Sequence, residues 1–162
     1  MDLSCLAALV RGVPGFKRLK AALLESTAGE SRLLMPEPAR PYIVAALYQE
    51  LGLPVMVVTA QPEDAKRLYE QLHAWCCSSS PLYFFPEAEF LADENSIDDL
   101  AIVAERLQTL SALSQKNCEN PPLVVCSALA AASGTFPKAD FAAASYDLTV
   151  GMSVDPIQLI RR

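Results

Sequence analysis

Apolar residues along this chain fall into short unbroken runs that alternate with longer stretches in which they recur every three or four positions. Unbroken runs rich in β-branched or aromatic residues suit strands buried on both faces, and the spaced pattern suits helices with one apolar stripe. Four strands of the first kind are expected: Arg32–Met35, Val55–Val58 within Pro54–Thr59, Leu82–Phe85, and Pro122–Cys126. A fifth, Tyr146–Val150, alternates as an exposed strand would.

Helices are expected in the intervals. Met1–Leu24 reads as two short amphipathic pieces broken at Gly12-Val-Pro-Gly15, the second carrying Phe16, Leu19, Ala22 and Leu23 at helical spacing. A helix starting at Pro41 runs through Ile43, Val44, Leu47 and Leu51 to a stop at Gly52, since proline suits a first turn whose N–H needs no partner. Pro62 and Glu63 open another, with Leu68 and Leu72 one turn apart, which ends near Trp75. A long helix over roughly Asp98–Ser114 is expected, with Leu100, Val103, Ala104, Leu107 and Leu110 on one face as its apolar stripe. Short helices over Ser127–Ala132 and Phe136–Ala144 follow, and Asp155-Pro156-Ile157 opens a last one by N-cap and first-turn proline.

Short strands alternating with helices predict an α/β fold of three layers, a mainly parallel sheet flanked by helices. The expected organisation is an N-terminal helical segment (1–24), an α/β domain (25–145), and the start of a second small domain (146–162). Because the last helix has only just begun at Arg162, the chain reads as a piece of something longer.

Composition narrows the functional classes. The 162 residues are 52% hydrophobic and 20% charged, too apolar for intrinsic disorder, and no apolar run reaches the roughly 18 residues of a membrane span. With 19 acidic against 13 basic side chains, net charge −6, the chain lacks the basic stripe of a free-standing nucleic-acid binder. Five cysteines (Cys5, Cys76, Cys77, Cys118, Cys126) and one histidine, His73, show no metal-ligand spacing, so reduced thiols are expected, Cys126 acting as a small hydrophobe in its strand.

A nucleotide-binding α/β fold carries a glycine-rich loop between its first strand and the next helix, with lysine for the β/γ-phosphates and Ser or Thr for magnesium. Here that slot is Pro36, Glu37, Pro38, Ala39, Arg40, Pro41 and Tyr42. It has no glycine and no lysine, its three prolines each remove an N–H, and Glu37 puts negative charge where a phosphate would sit. The slot is placed like a phosphate loop and lacks the parts of one. No catalytic, cofactor-binding or metal-ligating residue is expected. The acidic stretch holding Glu87, Glu89, Asp93, Glu94, Asp98 and Asp99 has no basic residue inside it and reads as exposed loop or partner-facing surface. Paired carboxylates for acid–base or magnesium chemistry are the alternative, which would make this a nucleotide- or metal-dependent enzyme domain.

Three stretches carry a family resemblance. They are Leu53–Leu72; Phe85-Pro-Glu-Ala-Glu-Phe-Leu91 followed by Ile102-Val-Ala-Glu-Arg-Leu-Gln-Thr-Leu110; and Pro122–Leu129 with Leu148–Asp155. In this order the chain resembles the N-terminal region of the bacterial transcription-repair coupling factors (Mfd), which is similar to UvrB domain 1a with a degenerate P-loop. It departs from the family at Ala88, at Ala92-Asp93 and near Ile97-Asp98, where the family has an aromatic, Pro-Tyr and Ser-Pro. The resemblance implies a bacterial, cytoplasmic parent that moves on duplex DNA with ATP and magnesium, displaces stalled RNA polymerase and recruits UvrA for nucleotide excision repair. It implies that motor, polymerase contact and main UvrA contact lie in other domains, so this piece is a non-enzymatic scaffold without its own DNA grip. Phe141, Tyr146–Val150 and Val154–Arg162 would form the crossover into the UvrA-recruiting neighbour. A stand-alone binding module is a further alternative.

Overall fold

Three of the expected strands form, and all are parallel. β1 (Val55–Thr59), β2 (Leu82–Phe85) and β3 (Leu123–Ser127) make one sheet in the order β1-β3-β2. The computed structural model describes residues 3–25, 29–77, 79–87, 97–115, 120–145 and 149–153, without the side chains of 97–99. Its helices are α1 (Pro14–Glu25), α2 (Arg40–Leu51), α3 (Pro62–Trp75), α4 (Ile97–Ser114), α5 (Ala128–Ala132) and α6 (Lys138–Ala144). Tighter 3-10 turns span Ser4–Gly12 and Glu37–Ala39. The expected strand Tyr146–Val150 lies mostly outside the described residues, with Val150 in a turn, and the helix expected from Asp155 lies wholly outside them.

Sheet alternation sorts the core into two layers of contact. Val55, Val57, Leu82, Phe84, Leu123 and Val125 pack against α2 and α3 through Ala45, Tyr48, Ala65, Leu68 and Leu72. On the opposite face Tyr83, Phe85, Val124 and Cys126 meet Leu110 of α4 and Ala130 of α5. This is the three-layer α/β arrangement the pattern predicts. Crossover α3 carries the chain from β1 past β3 to β2, and α4 returns it on the other face to the centre. Opposite direction on the opposite face gives both crossovers one hand, as parallel connections require.

α2 is apolar nearly all round because it has two partners. One side meets the sheet layer, and Tyr42, Ile43, Ala46 and Leu47 hold the N-terminal turns through Ala7, Val10 and Phe16. Glu50 adds an ion pair to Arg11 and one to Lys20 at 2.6 Å, and Lys20's hydrogen bond draws its carboxyl below the ordinary range. Tyr48 donates to the Pro121 carbonyl at 2.7 Å, tying α2 to the entry of β3. Gly52 ends the helix at φ +60°, a left-handed position that strains any residue with a Cβ.

Three expectations fail, each for a tertiary reason. Arg32–Met35 is not a strand: no strand pairs with it among the described residues, and Leu34 is fully exposed. A four-residue apolar run becomes a strand only by pairing. The Val55–Val58 run is not buried on both faces either; Met56 and Val58 stay 52% and 50% exposed because β1 is an edge, whereas β3, at the centre, is buried throughout. Finally, α4 does not bury the expected stripe. Leu100, Val103, Ala104 and Leu107 are exposed, while Thr109 and Ala112 are buried and Ile102, Arg106 and Leu110 are half-buried.

Candidate functional site

The slot Pro36–Tyr42 folds as a 3-10 turn running into α2, and it stands beside the C-terminal end of β1. Of its seven backbone nitrogens three belong to prolines. Two more are spent inside the turn, Ala39 N–H on the Pro36 carbonyl at 3.0 Å and Arg40 N–H on the Glu37 carbonyl. A phosphate cradle needs several N–H groups converging on one point, and this turn cannot present them.

Beside the turn lies an open crevice of about 370 Å³. Met35, Val44, Val57, Val58 and Leu68 give it an apolar lining, and Glu37, Arg40, Asp64 and Arg67 supply charge. Arg67 bridges both carboxylates, at 3.3 Å to Glu37 and 2.5 Å to Asp64 one turn back on α3. All three side chains are largely exposed, so the network contributes little stability, and its two carboxylates against one guanidinium leave the mouth of the crevice with one negative charge in excess among these three. Of the slot residues, then, Glu37 and Arg40 reach the crevice. Pro41 is buried, and Tyr42 turns away to stack on Trp75 at 5.0 Å and donate to the Leu6 carbonyl at 3.1 Å.

The central strand adds Cys126 and Ser127 at this end of the sheet. In phosphate-loop enzymes a magnesium-binding aspartate ends the strand that faces the loop; β3 ends in Cys126-Ser127. Ser127 is buried, donates to Glu87 at 2.6 Å and accepts from Ala130 N–H at 3.0 Å, which caps α5. The described turn and strand end thus offer neither converging N–H groups for a phosphate nor a carboxylate on β3 for magnesium.

Two residues that lie in the stretches carrying the resemblance but to which the sequence assigns no role, Arg67 and Arg106, make polar contacts at this end. Arg106 sits 4.1 Å above the Phe85 ring, donates to the Pro86 carbonyl at 2.7 Å and to Ser133 at 3.1 Å, and so fixes where the acidic stretch begins. Burial pulls its pKa down from the usual guanidinium value. In the sequence it stands as the only basic residue of the Ile97–Ser114 stretch. Of the acidic stretch, Glu87 is described and bonded to Ser127, Asp98 and Asp99 are placed by backbone alone in α4, and Glu89, Asp93 and Glu94 lie outside the described residues.

Cys126 is fully buried, as expected, and burial raises its thiol pKa. Cys76 is buried too, its pKa pushed up to about 11 by burial and then by Cys77. Cys5 and Cys77 are exposed free thiols, and Cys118 lies outside the described residues. His73 sets its ring edge against Tyr69 at 4.7 Å. Among the described residues no three His, Cys, Asp or Glu side chains are grouped to hold a metal ion, and no helix is long and apolar enough to cross a membrane. Phe141, expected at the crossover to a neighbour, borders a smaller crevice of about 240 Å³ with Leu110, Leu113 and Phe136. Compared with family models, curated proteins and solved structures, the chain matches none.

Proposed function

We propose that this chain is a non-catalytic, UvrB-like scaffold domain from the N-terminal region of a transcription-repair coupling factor. Its role is to position an adjacent UvrA-recruiting domain, while ATP-driven movement on DNA and displacement of RNA polymerase belong to other parts of the parent in the bacterial cytoplasm. The observation that carries this reading is the Glu37–Arg67–Asp64 network beside a turn whose N–H groups are missing or spent. A domain of nucleotide-binding architecture that has filled its phosphate position with a carboxylate retains the shape and gives up the chemistry. The segment order from Leu53 to Asp155 supports the family assignment within that reading.

Thermal melting with ATP and magnesium tests the first half. A ligand at a hundred times its Kd stabilises by about 2.7 kcal/mol, which for a domain of this size is roughly 5–10 °C. No rise is expected, and a rise of that size refutes the reading. For the second half, UvrA is expected to bind a longer fragment, containing this domain and its neighbour, more tightly than the neighbour alone. Equal affinity refutes the scaffold role.

A further inference from the structure

The two edges of the sheet are treated differently. In a parallel ladder a residue that donates toward one neighbour also accepts from it, and the next residue faces the other way. Val55 N–H donates to the Pro122 carbonyl at 3.0 Å, so Val55, Val57 and Thr59 face β3 while the peptide groups of Met56 and Val58 point out of the sheet. By the same rule Leu123 N–H, bonded to the Pro81 carbonyl at 2.9 Å, leaves Leu82 and Phe84 facing out from β2. There the Thr109 hydroxyl of α4 donates to the Phe84 carbonyl at 3.1 Å. No strand pairs with the β1 edge among the described residues, and Ser31–Leu34, which lead to the crevice beside it, stay exposed rather than packing on it.

We propose that the β1 edge is a self-association surface, on which a second copy of this chain adds its own β1 antiparallel about a two-fold axis through Val57. Three observations select that occupant. First, the strand is self-complementary. With Val57 facing Val57 of the second copy, all five residues of each β1 are opposed, and Met56 falls opposite Val58 of the second copy. Opposed residues of an antiparallel hydrogen-bonded pair exchange both N–H···O bonds, so every outward peptide group of Met56 and Val58 finds a partner across the axis. Second, the side chains suit that register on both faces. Met56 and Val58, each half-exposed, would meet their counterparts as one apolar patch. On the other face Val57 and Val55 of the second copy would stand beside Val57 and Thr59, at the crevice lined by Met35, Val44 and Leu68. Third, no charged residue lies between Leu51 and Pro62, so two copies meet here without like-charge opposition although each carries net charge −6. The contact is isologous and closes on itself, joining two three-stranded sheets into one.

Sedimentation equilibrium of the 162-residue chain tests this. A single strand pair lies at the small end of specific interfaces, so the dimer fraction is expected to grow across roughly 5–500 µM. Val58→Lys changes a half-exposed side chain on the edge and is expected to weaken self-association at least about tenfold. Met56→Lys is the second variant, and far-ultraviolet circular dichroism shows whether each is folded. The register has its own readout. Opposed residues of a non-hydrogen-bonded antiparallel pair have Cα atoms about 4.5 Å apart, within the span of a disulfide. With Cys5, Cys77 and Cys118 replaced by serine, Val57→Cys is therefore expected to cross-link two copies when diamide is added, whereas Leu53→Cys, exposed but off the axis, is not. A chain that stays monomeric at about 500 µM overturns the proposal. So does a dimer that survives both lysine variants, which would put the contact elsewhere, or one whose Val57→Cys form fails to cross-link.

Discussion

Replacing Thr109 by valine isolates one hydroxyl at the junction of helix and sheet. Thr109 is fully buried, and its Oγ1 lies 3.1 Å from the outward carbonyl of Phe84 and 2.9 Å from the Glu105 carbonyl one turn back. Valine keeps the volume and the branching at Cβ, so no cavity opens and the helix is scarcely altered. The Glu105 carbonyl retains its place in the helix ladder, but the Phe84 carbonyl, on the β2 edge under α4, loses its donor. Leaving a carbonyl unpaired costs about 1–3 kcal/mol when it is fully buried, which is the upper bound for this part-buried one. For a domain of this size that is a fall of roughly 2–12 °C in Tm. Urea unfolding is the assay: the midpoint should drop while the slope stays unchanged, since neither end state changes its exposed area. Thr109→Ser, which keeps the donor and removes a methyl, separates hydrogen bonding from packing. If Thr109→Val is as stable as the parent chain, the hydroxyl does not anchor α4 to β2.

Three further outcomes follow from the same coordinates. Glu50 has a lowered folded pKa from a reference of 4.5, so its contribution is present above that reference and is lost as pH falls through the lowered folded value; Glu50→Gln should flatten the acid side of the stability-against-pH curve and change nothing in the basic limb. Iodoacetamide at pH 8, followed by mass spectrometry of the folded chain, should label Cys5 and Cys77 and spare Cys76 and Cys126, which are buried with raised thiol pKa values; labelling of Cys126 under native conditions would contradict the central position of β3. Leu107→Asp should be tolerated within about 0.5 kcal/mol and Ala112→Asp should unfold the domain in the same urea assay, because α4 buries Ala112 and exposes Leu107; the reverse order would restore the stripe the sequence pattern predicts.

What could be read from the residues was whatever a residue decides locally. Pro41 and Gly52 bound α2, Pro62 opens α3, and the Val-rich runs at 55 and 123 become strands, because those choices depend on backbone freedom and on the segment's own apolarity. Position in the sheet is decided elsewhere. Val55-Met-Val-Val and Leu123-Val-Val-Cys are nearly interchangeable as sequences, yet one is an edge and the other the centre, set by how the α3 and α4 crossovers carry the chain. The same holds for α4, in which Leu100, Ile102, Val103, Leu107, Leu110 and Leu113 leave little to distinguish one side from another. Its orientation comes from polar residues, Thr109 on the Phe84 carbonyl and Arg106 on the Pro86 carbonyl, whose partners lie 25 and 20 residues away.

The candidate site divides along the same line. That Pro36–Tyr42 lacks the groups to hold a phosphate is a local fact, because prolines and a missing lysine need no partner to be recognised. That the position is occupied by an opposing charge network is not local, since Arg67 reaches Glu37 across thirty residues and only the packing of α3 beside α2 brings them together. The two facts bear differently on reversal. Restoring glycines and a lysine in the slot would supply N–H groups and positive charge, yet Glu37 and Asp64 would still share Arg67 at the mouth, and β3 would still end in Cys126-Ser127. Here the turn, the facing helix and the central strand each lack or oppose a required group, so substitutions in the slot alone should not restore nucleotide binding, and a melting rise from such a variant would refute that account.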